Sequence, residues 1–250
     1  MLAITRRNAI KDQLMERKSV TITDLAQKLN VTKETIRRDL RLMEEHGELI
    51  RTHGGAYILD GVQNDIDINM RQVIKTQEKT TIAEKCSALI QPGDSIFLDG
   101  STTCWFVAQR LLGQNLTVLT NSLQIATILS QSPSIQLISI GGRFAPSNLC
   151  FIGDNTCRAL ANYFVDKAFL SCRSISRTHG ITDISEDYAA IHRLVVERSN
   201  KSYLVVDNSK LDNTSFAYTC PLTSVDAVIC DAPWSEPWQE YFRAHNIAFY

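Results

Sequence analysis

Apolar positions recur at two different periods along this 250-residue chain, and the change of period divides it. Near the N-terminus the period is helical. Ile10 and Leu14, four residues apart, mark a helix over about 5–17. Leu25, Ala26 and Leu29 form one face of a second, TDLAQKLN, for which Thr23 is the natural cap. Ile36, Leu40 and Met43 stripe a third, KETIRRDLRLMEEHG, capped by Thr32 and stopped at Gly47. Asn30 supplies the left-handed residue of the tight turn between the second and third helices. Ser19-Val20-Thr21-Ile22 is a short β-branched stretch. Leu49-Ile50-Arg51 and Ala56-Tyr57-Ile58, either side of His53-Gly54-Gly55, predict a β-hairpin.

Residues 59–77 lose this periodicity and carry Gly, Asn and Asp, the pattern of a linker. From there on, short apolar runs alternate with amphipathic ones. Strands are expected at about 95–99, 116–120, 135–140, 167–171, 202–207 and 225–230. Helices are expected at about 78–90, 102–112, 122–130, 154–163, 187–199 and 235–244. This alternation predicts an α/β domain over 78–250, with a mostly parallel sheet covered on both faces. The expected organisation is therefore a head over 1–58, a linker over 59–77 and a larger body over 78–250.

Hydrophobic residues at 44% and charged residues at 21% exclude a disordered chain. The apolar runs are too short to span a bilayer, and the first residues lack a signal-peptide profile. A cytoplasmic address without membrane contact is expected. Seven cysteines, with no C-x-x-C pair, predict reduced and mostly buried thiols rather than disulfides or a metal site. The net charge of −1 conceals an asymmetry. Residues 1–55 hold 11 basic and 8 acidic side chains, or +3, and the remainder is −4. A basic end points toward nucleic acid.

The third helix carries the chemistry for such a partner. Leu25, Leu29, Val31, Ile36 and Leu40 are suited to one core, which leaves Lys33, Thr35, Arg37, Arg38 and Arg41 on the opposite face. In a helix-turn-helix, residues at the start of the recognition helix (here Thr32, Lys33 and Thr35) reach base edges. Arg37, Arg38 and Arg41, one turn or more further on, suit phosphate or guanine contacts. The hairpin adds Arg51 and His53 as a "wing". Double-stranded DNA is the expected partner, with two or more heads from a homo-oligomer on repeated half-sites.

In the body the informative residues stand where strands end. Asp99 is followed by Gly100-Ser101-Thr102-Thr103, then a helix, and helix-start N–H groups beside hydroxyls make an anion pocket. Asn121-Ser122 open the next helix. Gly141-Gly142 allow close backbone approach. Lys210, after Asp207-Asn208-Ser209, places a cation suited to phosphate. Ligands of open α/β sheets bind at such carboxyl ends, so together these residues predict a small phosphorylated ligand.

Two sets of motifs resemble the DeoR-type transcriptional regulators. In the head they are LAQKLNVTKETIRRDLRLMEEHGELIRTHGGA, with its V-T-x-x-T-I-R-R-D-L core. In the body they are Asp99-Gly100-Ser101-Thr102-Thr103, Asn121-Ser122, Gly141-Gly142 and Asp207-Asn208-Ser209-Lys210. The resemblance covers essentially the whole chain. It implies a winged helix-turn-helix joined to a domain similar to the ribose-5-phosphate isomerase and glucosamine-6-phosphate deaminase fold. It implies a regulator, most often a repressor, released from its operator by a phosphorylated sugar. On that pattern Ser101, Thr102, Thr103 and Lys210 hold the phosphate and Asp99 contacts sugar hydroxyls. Thr103-Cys104-Trp105 resembles members that respond to deoxyhexoses. The chain departs from the family pattern at Ser171-Cys172-Arg173-Ser174, where glycines are common. It departs again at Tyr188 and His192, where a Glu and a Lys four residues apart are usual. Alone on its helix, His192 reads as structural or exposed.

Two other functions compete with this one: an activator of the same kind of operon, and a phosphosugar isomerase with an appended head. The second needs a positioned acid and base. The acidic D-G-A-D-E-like element of such isomerases is missing. Asp183, Glu186 and Asp187 are explained as acidic residues at a helix start. A regulator without cofactor or metal is the expectation.

Overall fold

The structure, a computed structural model, describes residues 2–17, 19–58 and 68–250. It divides into two compact units, Met1–Thr76 and Gln77–Tyr250.

The first unit opens with α1 (Ala3–Arg17), β1 (Ser19–Thr21), α2 (Ile22–Lys28) and α3 (Lys33–Glu45). It continues with β2 (Ile50–Arg51), β3 (Gly55–Tyr57) and α4 (Ile68–Val73). Ile10, Leu14, Val20, Ile22, Leu25, Ala26, Ile36, Leu40, Met43, Leu49 and Ala56 form its core, with Leu29 and Val31 packed at its edge. Asn30 has φ of +51° and Gly47 +72°, the two left-handed positions expected at the helix ends. The hydroxyl of Thr32 accepts the backbone N–H of Thr35 and so caps α3.

Two details differ from the sequence reading. The second helix starts at Ile22, one turn-fragment early, because the Thr21 hydroxyl rather than Thr23 accepts the Asp24 N–H. The β-branched stretch before it is a strand, so the hairpin becomes a three-stranded antiparallel sheet in the order β1-β3-β2. Gly55 is what admits β1: a Cβ there would lie 1.9 Å from the carbonyl oxygen of Val20. Of the residues expected as a linker, 59–67 lie outside those described. Ile68–Val73 are helical, and the next helix starts at Thr76 rather than near residue 78.

The second unit holds α5 (Thr76–Ser87), β4 (Ser95–Leu98), α6 (Thr102–Arg110), β5 (Leu116–Thr120), α7 (Leu123–Leu129) and β6 (Ile135–Ser139). A hairpin follows, β7 (Arg143–Ala145) and β8 (Cys150–Ile152), then α8 (Asp154–Leu160) and β9 (Val165–Leu170). Next come β10 (Ser174–Ser176), β11 (Gly180–Asp183), α9 (Glu186–Glu197), β12 (Ser199–Val206) and β13 (Ala217–Cys220). The chain closes with β14 (Ala227–Cys230), α10 (Glu236–Ala244) and β15 (Ala248–Phe249).

Seven of these strands form one sheet in the order β15-β14-β12-β9-β4-β5-β6. Every neighbouring pair in it is parallel. Successive residues of its strands go to opposite faces, as the pleat requires. Phe97, Leu119, Leu170, Leu204 and Val206 join α8, α9 and α10 on one side. Ile96, Leu98, Val118, Phe169 and Val205 join α5, α6 and α7 on the other. Each fully buried side chain of this size contributes about 1.5–3 kcal/mol, so both faces are needed to hold the sheet. The chain leaves β4 toward β5 and β6, then returns to the other side of β4 for β9, β12, β14 and β15. The crevice between the ends of β4 and β9 is thus the topological switch point of the sheet.

The three-stranded antiparallel sheet β10-β11-β13 and the β7-β8 hairpin have no counterpart in the sequence reading. All seven cysteines are free, and all but Cys157 are buried. Among the described residues no helix is long and apolar enough to cross a membrane.

Candidate functional site

In the head, α3 presents Thr32, Lys33, Arg37, Arg38 and Arg41 to solvent, while Ile36, Asp39, Leu40 and Met43 face the core. Thr35 is half-buried, its hydroxyl 2.9 Å from that of Thr32. Arg37 bridges to Glu34 at 3.2 Å, an exposed pair that leaves the guanidinium on the surface. His53 is exposed at the hairpin turn. Arg51 is placed differently from its neighbours in this set. Its backbone N–H and its Nε both donate to the carboxylate of Glu44, at 3.0 and 2.6 Å. The last turn of α3 therefore holds the wing, and Arg51 is the group it holds.

In the body, Asp99, Gly100, Ser101, Thr102 and Thr103 follow β4, and Asn121 and Ser122 follow β5. Gly141 and Gly142 follow β6, and Lys210 follows β12. Parallel pairing puts all four strand ends on one edge of the sheet. Not all the groups are turned to the same use. Ser101 caps α6 through the Cys104 N–H, and Ser122 caps α7 through the Ile125 N–H. The carboxamide Nδ2 of Asn121 donates to the Phe151 carbonyl, which pins the β7-β8 hairpin over the end of β5. Its Oδ1 is left as the one buried side-chain polar atom without a partner among the described residues. The glycines admit close packing. A Cβ on Gly100 would lie 2.8 Å from Cβ of Cys150, and one on Gly142 would lie 1.9 Å from Oγ1 of Thr156. Thr156 also donates to the carbonyl of Gly141.

Asp99 stands at the switch point, 3% exposed. Its Oδ1 accepts the Ser101 N–H at 3.0 Å, and its Oδ2 accepts the Ser171 N–H at 2.7 Å. His192 from α9 brings Nε2 to 3.3 Å from the same Oδ2. The other ring nitrogen, Nδ1, lies 2.9 Å from Oδ2 of Asp183 at the end of β11. Thr219 of β13 donates to that oxygen as well, at 3.0 Å. His192 is thus buried between two carboxylates. Burial acts to lower its pKa, but the charge and hydrogen bond of Asp183 and those of Asp99 outweigh this and raise it to about 10. Burial likewise acts to raise Asp99, and the hydrogen bond and charge of His192 overcome it and hold the carboxyl below its ordinary range.

Lys210 closes the group from β12. Burial pushes the Cys172 thiol up, the carboxylates of Asp183 and Asp99 push it further, and the ammonium of Lys210 opposes them. Cys104 donates to the carbonyl of Phe169 at 3.3 Å, and burial raises its thiol far above the range in which thiolates form. Tyr188, one turn before His192, hydrogen-bonds Asn148 and lies 3.6 Å from Sγ of Cys150, tying α9 to the hairpin.

The sequence reading named Asp99 and Lys210 as ligand contacts, took His192 as structural or exposed and took Asp183 as a helix-start acid; the histidine is buried and joins Asp99 to Asp183. The signal was available only in part: an Asp ending a strand and a His one helix away do not declare a contact nine residues apart.

Comparison with known proteins agrees with these two halves. Residues 6–62 match the DeoR-like helix-turn-helix domain, and residues 74–232 match the DeoR C terminal sensor domain. The uncharacterised HTH-type transcriptional regulator YulB of Bacillus subtilis is 36% identical over 93% of this chain and 90% of its own. The HTH-type transcriptional repressor GlcR of the same organism is 33% identical, covering 89% of this chain and 86% of its own. The L-fucose operon activator of Escherichia coli is 33% identical, covering 90% and 94%. Among solved structures, ribose 5-phosphate isomerase A of Methanocaldococcus jannaschii aligns over 53% of each chain at 19% identity, with a TM-score of 0.39. The two family domains account for head and body in turn, and the chain belongs to the DeoR family of DNA-binding transcriptional regulators rather than to the enzymes.

Proposed function

We propose that this chain represses a carbohydrate-catabolism operon and is released from its operator by a phosphorylated sugar. The observation that carries the reading is the convergence at the β4–β9 switch point. The first turn of α6 offers the N–H groups of Thr102 and Thr103, which have no carbonyl ahead of them within the helix. Lys210 supplies a cation from β12. The unmatched buried acceptor of Asn121 supports a ligand that bears hydroxyl donors. Ser101, Ser122, Gly141 and Gly142 shape the loops that present these groups.

In the head, Thr32, Lys33 and Thr35 read bases, and Arg37, Arg38, Arg41 and His53 hold the DNA backbone. Arg51 serves by fixing the wing. The larger unit also assembles protomers, which places two or more heads on repeated half-sites, and the protein works in the cytoplasm. The name of one relative, an L-fucose operon activator, supports a sugar-linked role, and that of another, a transcriptional repressor, supports repression. The L-fucose operon activator also supports activation as the alternative sign.

Operator binding followed by fluorescence anisotropy, with and without a panel of sugar phosphates, tests the reading. One member of the panel is expected to release the DNA and to raise the melting temperature by mass action. If no member does either, the sugar-phosphate reading fails. A reporter fused to the operator decides the sign.

A further inference from the structure

We propose that His192 is a positioning residue for the anion subsite: its buried ring, held between Asp183 and Asp99, neutralises and orients Asp99 so that the first turn of α6 accepts an anion. The inference rests on the sugar-phosphate reading of this site and names the group that makes it electrically possible.

The problem it solves is visible in the chain order. Asp99 lies three residues before Thr102, the helix start that is to receive a phosphate, and a buried, uncompensated carboxylate there repels an anion strongly. Asp99 nevertheless has a structural task. It accepts the N–H groups of Ser101 and Ser171, and so ties the loop after β4 to the loop after β9. The carboxylate form is the one suited to accept from both. A partner that cancels its charge without displacing these donors is needed, and His192 approaches Oδ2 from α9.

The geometry suits a cationic ring. Both nitrogens face carboxyl oxygens, at 2.9 and 3.3 Å, and a ring protonated at both nitrogens donates to each side. The raised pKa of the imidazole agrees with this. The charged groups that face the ring are Asp99 beyond β4 and Asp183 on β11. Of the elements packed nearby, Cys172 lies beyond β9, Cys220 on β13, Tyr188 one turn earlier on α9 and Lys210 beyond β12. The imidazolium paired with Asp99 offsets the charge of that carboxylate beside the start of α6, and the α6 dipole and N–H groups are left to attract the ligand.

The test uses inorganic sulfate, which carries constant charge across the accessible pH range, and the full-length protein. Wild type binds sulfate with an affinity that is flat across neutral pH. H192Q removes the cation while keeping a polar side chain. Since a close charge moves a neighbouring ionisation by about one to three pK units, sulfate affinity is expected to fall on the order of tenfold or more. It should recover as pH is lowered and Asp99 takes up a proton. H192K, which keeps the charge, should restore much of the affinity at neutral pH.

Asp183→Asn provides a second route that leaves the histidine in place. With one anchor gone, the imidazole titrates nearer neutrality, and sulfate affinity acquires a step that falls with rising pH. Unchanged sulfate affinity with a flat pH profile in H192Q and Asp183→Asn overturns the role of His192, as does an H192K protein that folds and binds no sulfate. Failure of the wild type to bind sulfate, inorganic phosphate and every sugar phosphate overturns the underlying ligand reading instead.

Discussion

Arg6 and Asp39 form a buried ion pair that joins α1 to α3, with Nε 2.5 Å from Oδ2 and a second contact from the same guanidinium at 3.1 Å. Both side chains were counted in the basic balance of the head, yet neither faces solvent. The recognition helix is thus fastened from behind by the same residue run, I-R-R-D-L, that presents its arginines in front. Arg6→Ala leaves Asp39 buried and unpaired. The expected cost is about 3–5 kcal/mol of head stability. Amide exchange in α1 and α3 of the full-length protein should accelerate accordingly, while exchange in the seven-stranded sheet stays as it was.

Arg37 lies on the exposed face of the same helix. Arg37→Ala is expected to weaken operator binding and to lower the slope of log affinity against log salt by about one, the signature of a lost phosphate contact. Titrations at several salt concentrations check this. An unchanged slope would move the phosphate contact to Arg38 or Arg41.

Lys210→Ala should leave operator affinity within about twofold of wild type, because surface substitutions away from a binding face have small effects. The dose of sugar phosphate needed to release DNA should rise by roughly tenfold or more, as befits a lost charge-assisted hydrogen bond. Release at the wild-type dose would show that Lys210 does not hold the ligand.

The His192 cluster also gives stability a pH dependence. A histidine whose pKa rises from its ordinary 6.5 to about 10 on folding stabilises the fold in full below pH 6.5. That contribution is lost as pH rises through about 10. Asp99, held below its ordinary 3.8, acts in the opposite sense: its contribution is present above that value and fades in acid. Melting temperature should therefore decline on the alkaline side of neutrality, and this decline should be smaller in H192Q.

Most of the scaffold was legible because each cue is local. The cap Thr32, the turn residue Asn30 and the stripe of Ile36, Leu40 and Met43 each specify α3 without help from elsewhere. The six expected strands all lie in the parallel sheet, since a strand buried on both faces reads as an unbroken apolar run. The missed parts depend on distant partners. Strands β10, β11 and β13 are three or four residues long and mix small polar and apolar residues, with no run long enough to betray them. The role of Arg51 depended on Glu44, seven residues away on α3, a pairing that no local pattern announces. His192 looked isolated because its two partners belong to other elements and meet it only after the sheet has closed.

The switch point also orders events in time. Ser171 and Asp99 hydrogen-bond across 72 residues of chain. When the chain is made from its N-terminus, β4, β5, β6 and the hairpin are all available before β9 exists, and one wall of the crevice can assemble early. The other wall arrives only when β9 docks on the vacant side of β4, followed by α9 and the Lys210 turn. On the proposed reading, ligand competence is therefore acquired late, when the last of these segments has docked. A nascent or truncated body ending before β9 has the ends of β4, β5 and β6 but lacks the Asp99–Ser171 tie, and on the proposed reading it does not answer to the ligand.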